Sequence, residues 1–260
     1  MEQIISKDGT VIGFKRSGKG PPLLLVHGAT ADHRRWSAIS PKFEKHFTVY
    51  AMDRRGRGGS GDSPDYDLLR EAEDVAAVVD SIGAPVDVLG HSYGGLCSLE
   101  AALLTDKINR LILYEPAGSG GPDHYSQNTI KQMQELIDAG EFEAAIEMMF
   151  REIVKMPKHE LAAYRKLPMW KGRILLAPTL PRELAIDLRY RFDAHRFRDL
   201  RAPTLLLLGG DSPAFVKETT ERIHSAFPNS KIVVLPGQQH IAMDTNPDLF
   251  TREVLSFLLA

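Results

Sequence analysis

A serine between two glycines is the part of this sequence whose residue types are best suited to chemistry. Residues 90–94 read Gly-His-Ser-Tyr-Gly, with Ser92 at the centre. The run before them, 86–89, has the length and β-branched content of a buried strand, and the residues after them carry leucines at helical spacing. A serine on a tight turn from strand to helix exposes its hydroxyl for attack on a carbonyl carbon. The pattern predicts a nucleophile at Ser92, although a serine that merely caps the helix would look the same.

A serine nucleophile needs a base within hydrogen-bond reach, because the hydroxyl is unreactive at its free pKa. His240 follows the last predicted strand in the loop Pro-Gly-Gln-Gln-His, and we interpret it as that base. A carboxylate must in turn orient the histidine ring. Asp211 and Glu115 each follow a predicted strand and are the two candidates.

Composition limits the possible functions. The chain has 260 residues, of which 43% are apolar and 25% charged, and its formal net charge is -2. This balance predicts a globular enzyme that binds neither nucleic acid nor membrane. The single cysteine, Cys97, excludes an intrachain disulfide, and the histidine spacing offers no metal site. The first residues lack the pattern of a signal peptide, so we expect a cytoplasmic protein, either a monomer or a homodimer.

Strand and helix patterns alternate along most of the chain. They predict an α/β fold with a mainly parallel eight-stranded sheet and helices on both faces. Residues 1–117 and 199–260 form this core, and residues 118–198 form a helical cap inserted after the sixth strand. Ligands of such sheets bind beyond the carboxyl ends of the strands. Six candidate functional residues directly follow predicted strands: His27, Asp53, Ser92, Glu115, Asp211 and His240.

Together these motifs resemble the α/β-hydrolase superfamily over essentially the whole chain. The similarity rests on His27-Gly28, on the loop from Asp53 to Ser60, on the turn around Ser92, and on Gly237-x-x-His240. It is closest to the capped branch that includes esterases, enol-lactonases, C–C bond hydrolases and cofactor-free perhydrolases. The resemblance implies an oxyanion hole formed by the backbone N–H groups of Ala29 and Tyr93. It also implies that His27, Asp53, Arg55 and Ser60 fix loops rather than react.

The acid departs from the usual pattern of that family. Its aspartate commonly stands three residues after the glycine that ends the seventh strand, and here that position is Ser212. Asp211 is one residue early, while Glu115 lies where some family members carry the acid instead. We favour Asp211 narrowly over Glu115, because its loop is the commoner location.

The resemblance implies a serine hydrolase of the carboxylesterase or lactonase type that acts on small apolar esters through an acyl-enzyme on Ser92. The alternatives are C–C hydrolase, lyase or perhydrolase chemistry on the same scaffold, or a ligand receptor that retains the triad. No cofactor or metal is expected. Among the apolar residues of the cap, we interpret Met148, Met149 and Trp170 as substrate contacts, although most such residues form the core of a helical segment.

Overall fold

The computed structural model describes residues 1–118 and 124–260. Eight strands form one sheet: β1 (Glu2–Ile5), β2 (Val11–Gly18), β3 (Pro22–Val26), β4 (Thr48–Met52), β5 (Val86–His91), β6 (Ile108–Tyr114), β7 (Thr204–Gly209) and β8 (Ser230–Leu235). Their spatial order is β1-β2-β4-β3-β5-β6-β7-β8. The strands from β3 to β8 pair in parallel, and β1 and β2 form an antiparallel edge. The mainly parallel eight-stranded sheet is confirmed.

Helices connect the parallel strands and cover both faces of the sheet. Before the long connection from β6 to β7, the described helices are α1 (Ser40–Phe43), α2 (Leu68–Ser81) and α3 (Tyr93–Ala101). After β7 they are α9 (Ala214–Ala226), α10 (Ala242–Thr245) and α11 (Pro247–Leu258). None of the helices in the described ranges is both long enough and apolar enough to cross a bilayer.

The connection from β6 to β7 contains the predicted cap, residues 118–198, and we call the helices that it carries within residues 124–198 the insertion. Its described helices are α4 (Gln127–Asp138), α5 (Phe142–Met148), α6 (Lys158–Tyr164), α7 (Met169–Leu175) and α8 (Leu180–Arg189), and a π-helical turn, Met149–Ile153, extends α5. Residues 119–123 of the predicted cap lie outside the described residues. The insertion has a hydrophobic core of its own, to which Ile241 and Ala29 from the rest of the chain also contribute.

The alternation of side chains along each strand creates two hydrophobic layers, one on each face of the sheet. In β3, Leu24 packs with α2 and α3, while Leu23 and Leu25 pack on the opposite face with α1 and α11. Successive side chains of a strand point to opposite faces, so a strand buried on both sides is apolar throughout. This packing fixes the strand ends, and with them the loops that carry the candidate site residues.

Candidate active site

Ser92 lies on a strained turn between β5 and α3. Its backbone angles are φ 54° and ψ −125°. Residues other than glycine rarely adopt a positive φ. Gly94 allows this turn because a Cβ there would lie 2.2 Å from the carbonyl oxygen of His27. Gly90 is equally restricted, with Ser98 Oγ at 2.6 Å from such a Cβ. A side chain at either glycine would collide with these neighbouring atoms. The turn thus has the geometry of a nucleophile elbow.

The loop after β3 passes directly beside Ser92. A Cβ on Gly28 would lie 2.8 Å from Ser92 Cβ and 3.4 Å from its Oγ. Thr30 in this loop also has a positive φ, 50°. Within residues 1–118 and 124–260, the N–H groups of Ala29 and Tyr93 have no hydrogen-bond acceptor in the protein. These two N–H groups, one in the loop after β3 and one at the first residue of α3, are free to donate to an oxyanion, which requires two such donors.

Glu115, and not Asp211, is paired with His240. Glu115 Oε2 lies 2.8 Å from His240 Nδ1, and the Glu115 side chain is 1% exposed. Its other oxygen, Oε1, accepts hydrogen bonds from the Gly209 amide at 2.8 Å and from the Ser212 hydroxyl. A buried carboxylate with a donor on each oxygen is well satisfied, which offsets the cost of its burial. Glu115 also has a positive φ, 42°, so its backbone is constrained as well.

The sequence-based preference for Asp211 is corrected by this geometry. Asp211 is exposed, and its N–H donates to the carbonyl oxygen of Gln238. Among the described residues, its carboxylate has no hydrogen bond or ion pair with His240. The physical reason is the turn after β7, which points Ser212 inward and Asp211 toward solvent. Ser212, which stands at the usual position of the acid, thus donates a hydrogen bond to Glu115.

Two aromatic side chains hold the loop that carries His240. The Tyr114 hydroxyl donates to the Gln239 carbonyl and accepts from the Ala242 amide at 3.0 Å. His91 Nε2 lies 2.9 Å from the His240 carbonyl oxygen, and the two rings are 4.7 Å apart. Burial, with the charges of His240 and Arg35, lowers the pKa of His91 well below its ordinary value, so its ring is neutral and Nε2–H donates. His91 thus holds the backbone of the loop at His240.

Comparison with known proteins gives the family. The model of the alpha/beta hydrolase family matches residues 23–253, which is most of the chain. This chain belongs to the alpha/beta hydrolase family. An alpha/beta hydrolase from Sphaerobacter thermophilus is 34% identical, with a TM-score of 0.88 over 99% of this chain and 100% of that one.

Two further relatives carry more specific names. The (E)-2-((N-methylformamido)methylene)succinate hydrolase of Acinetobacter baylyi is 24% identical over 98% of this chain and 96% of its own. The enol-lactonase of Burkholderia xenovorans is 23% identical, with a TM-score of 0.73 over all of both chains, and it supports the fold.

Two adjoining cavities of this alpha/beta hydrolase meet at Ser92. The first, of about 80 Å³, lies between the loop at Gly28 and the insertion. The second, of about 70 Å³, extends past Glu115 toward Phe215 at the start of α9. Both are lined by Ser92, Ala117, Ile153, Val154, Asp187 and His240. A carbonyl group at Ser92 would therefore have room for one substituent on each side.

Of the three predicted substrate contacts, Met149 lines the first cavity. Met148 and Trp170 do not, and both are buried in the core of the insertion. Trp170 packs against Phe150 at a ring distance of 5.8 Å and donates its indole N–H to Glu143. These two expectations are corrected, because the insertion uses both side chains to hold its own helices together.

Arg173, which sequence reasoning missed, connects the insertion to the loop beside Ser92. Its guanidinium donates to Thr30 Oγ1 at 2.8 Å and to the carbonyl oxygens of Ala29 and Thr30 at 3.3 Å. The Tyr164 hydroxyl accepts from its Nε at 3.0 Å and from its Nη2 at 2.7 Å. A buried arginine whose three nitrogens all donate hydrogen bonds in a fixed plane is a strong brace. No signal in the sequence distinguishes it from the neighbouring basic residues.

Ion pairs join α8 to the loop after β4. Glu183 contacts Arg54 at 2.9 Å and also Arg57, and all three side chains are buried. Arg54 in turn contacts Glu71 at 2.6 Å and lies 4.5 Å from the centre of the Tyr93 ring. Arg54 and Arg57 in the loop after β4 are therefore each paired with an acid.

His27 and Asp53 contact loops rather than a cavity. The ring of His27 is fully buried, with Nδ1 2.8 Å from the Gly28 carbonyl and Nε2 accepting from the Arg54 amide. Asp53 accepts from the backbone of His33 at 2.7 Å and of Gly59 at 2.7 Å. Asp32, His33 and Asp53 come near enough to one another to suggest metal ligands. Their atoms are instead accounted for by these loop contacts and by the contact of Asp32 with Arg34.

Proposed function

We propose that this protein is a serine hydrolase of small carboxylic esters or lactones, with Ser92 as nucleophile, His240 as general base and Glu115 as the acid that orients it. The observation that carries the proposal is the contact of His240 Nδ1 with Glu115, at 2.8 Å, beside cavities that both Ser92 and His240 line. This leaves Nε2 as the ring nitrogen for Ser92. A strained serine, a histidine and a satisfied buried acid at one cavity are the parts of acyl transfer.

The reaction proceeds through an acyl-enzyme. Ser92 Oγ attacks the carbonyl carbon while His240 Nε2 takes the hydroxyl proton, and the amides of Ala29 and Tyr93 bind the developing oxyanion. The tetrahedral intermediate collapses as the imidazolium returns its proton to the leaving oxygen. Water then attacks the acyl-enzyme with His240 again as base, which releases the carboxylic acid and restores Ser92. Glu115 stabilises the imidazolium in both half-reactions.

The helical insertion acts as a cap in this proposal. Its side chains Met149, Phe150 and Leu184 supply the apolar wall of the first cavity. The two cavities, of about 80 and 70 Å³, favour a substrate with two short arms rather than a long acyl chain.

The decisive variant is Ser92→Ala, measured with p-nitrophenyl acetate. Removal of the nucleophile should lower kcat by roughly 10³-fold or more, because the acyl-enzyme no longer forms. A matched control is Ser225→Ala, since Ser225 is an exposed helix residue whose hydroxyl donates to the backbone carbonyl oxygen of Glu221. The control should hydrolyse the ester at the parent rate, and a chelator should leave that rate unchanged. Equal rates for Ser92→Ala and the parent would contradict the proposal.

A further inference from the structure

Asp187 is a buried carboxylate that borders both cavities and is not one of the three proposed catalytic side chains. It lies on α8, is 8% exposed, and lines each cavity together with Ser92. The Tyr125 hydroxyl donates to Oδ2 at 2.6 Å, and the Gly118 amide donates to Oδ1 at 2.5 Å. A carboxylate offers about four acceptor positions, so about two remain beyond these contacts.

Asp187 has no cationic partner in the described part of the chain. Among the described residues, no Lys, Arg or His forms an ion pair with it, and the stretch 119–123 contains no basic residue. Glu183, one helical turn earlier on the same face of α8, is paired with Arg54 and Arg57. Burial accordingly raises the pKa of Asp187. An unpaired buried carboxylate destabilises a fold, so its presence at a cavity points to a ligand rather than to stability.

The cations of the first cavity are already committed to other partners. Arg35 is paired with Asp244 at 2.7 Å, and Arg173 donates to Tyr164 and to the loop at Thr30. Neither is therefore available to neutralise Asp187 without giving up contacts that hold the site. The partner that Asp187 lacks must come from the molecule that occupies the cavities.

We infer that Asp187 is a specificity-determining residue that accepts a hydrogen bond from an O–H or N–H group of the substrate, close to the scissile carbonyl. The donor must be close to that carbonyl because Asp187 lines the two cavities where they meet, at Ser92. The preferred substrates are then short esters with a hydroxyl or amide group two or three bonds from the carbonyl carbon. This inference rests on the proposed function and names the substrate class of the same site.

The test compares two esters of nearly equal shape, p-nitrophenyl 3-hydroxybutyrate and p-nitrophenyl 3-methylbutyrate. The ratio of their kcat/KM values, corrected for the ratio of their uncatalysed rates, measures recognition of the hydroxyl group. The parent should favour the hydroxy ester by about tenfold or more, since a site built for a donor rejects the analogue without it. The 3-acetamidobutyrate ester, compared in the same way, distinguishes an N–H donor from an O–H donor.

The Asp187→Leu variant keeps the branched shape of the side chain and removes the acceptor, so its corrected ratio should fall to near one. Asp187→Asn is made in parallel and should lower the ratio as well, with a smaller risk to folding. The matched control is Tyr125→Phe, which removes one donor to Asp187 and leaves the carboxylate in place. It should retain the preference of the parent.

Two outcomes would overturn the inference. One is a parent that shows no preference for either donor-bearing ester. The other is a set of Asp187 variants that lose activity equally on all esters and so keep the parent's ratio, because Asp187 would then only anchor α8. Failure of the proposed function is recognised separately: the Ser92→Ala variant would then hydrolyse all of these esters at the parent rate.

Discussion

Ser212 donates its hydroxyl hydrogen to Oε1 of Glu115. Ser212 stands three residues after Gly209, where the resemblance to the alpha/beta hydrolases places an aspartate, and Glu115 lies at the end of the neighbouring strand. The two positions are therefore adjacent in space although they are 97 residues apart in sequence. A carboxylate on either strand end can approach the same face of His240, and in this chain it is supplied by the strand that precedes the insertion.

The first prediction assigns the acid. Glu115→Gln should lower kcat by roughly 10² to 10⁴, because the amide no longer stabilises the imidazolium of His240. Asp211→Asn should leave kcat unchanged, since Asp211 is exposed and unconnected to the ring. In the His240→Ala background, Glu115→Gln should have little further effect, because its role depends on that ring. Loss of activity in Asp211→Asn with a mild effect of Glu115→Gln would restore Asp211 as the acid.

The second prediction exchanges the two positions. Glu115→Ala should nearly abolish activity, and adding Ser212→Asp should restore part of kcat, because the new carboxylate lies at the same side of His240. In the parent background, Ser212→Asp alone should lower the melting temperature, since two carboxylates in contact repel each other. Steady-state kinetics and thermal unfolding measure these effects. A folded double variant with no more activity than Glu115→Ala would refute the exchange.

The third prediction concerns Arg173 and the loop beside Ser92. Arg173→Lys removes the planar contacts to Thr30 and Tyr164, so the Ala29 amide should be less well positioned for the oxyanion. Because that amide acts in the transition state, kcat should fall by about tenfold or more with little change in KM. The control is Arg165→Lys, an arginine of the same insertion that pairs with Glu143 and Glu147 at the surface. Equal losses in both variants would contradict the brace.

The fourth prediction is a pH dependence of stability. Burial lowers the pKa of His91 well below its ordinary value of 6.5, so the ring is neutral in the folded protein. As the pH falls through about 6.5, the unfolded chain takes up a proton that the folded protein refuses, and the free energy of unfolding decreases. The slope is up to about 1.4 kcal/mol per pH unit for one such group.

Unfolding by urea between pH 7 and pH 5 tests this for His91→Gln against the parent. The variant should lose less stability over that range than the parent does, because one refused proton has been removed. An identical decline in both proteins would show that His91 does not contribute.

Much of this arrangement could be predicted from sequence, and the failures have a common physical origin. Ser92 and His240 stand in loops whose position follows from the strand just before them. The local sequence pattern was therefore enough to predict that both lie at the same edge of the sheet. The choice between Asp211 and Glu115 depends on how two loops from neighbouring strands meet, which no local pattern records. The distance in sequence from Gly209 identifies Ser212 as the usual position of the acid. It does not show that the turn directs the Ser212 side chain toward Glu115.

The insertion posed a similar problem. Met148 and Met149 are consecutive, yet Met149 lines the first cavity while Met148 lies in the core of the insertion, since neighbouring side chains of a helix point in different directions. Trp170 has the composition expected of a substrate contact and is instead held in the insertion by Glu143. A single sequence does not separate the apolar residues that hold helices together from those that face a cavity, because both are buried.

Covalent labelling of Ser92 tests the central claim most directly. The parent is incubated with a fluorophosphonate, and the intact mass and the labelled peptide are measured, with Ser92→Ala and Ser225→Ala as controls. The account predicts one adduct on Ser92 in the parent and in Ser225→Ala, none in Ser92→Ala, and labelling slowed strongly by Glu115→Gln. A protein that remains unlabelled while it hydrolyses p-nitrophenyl acetate, or that carries the adduct on another residue, would contradict it.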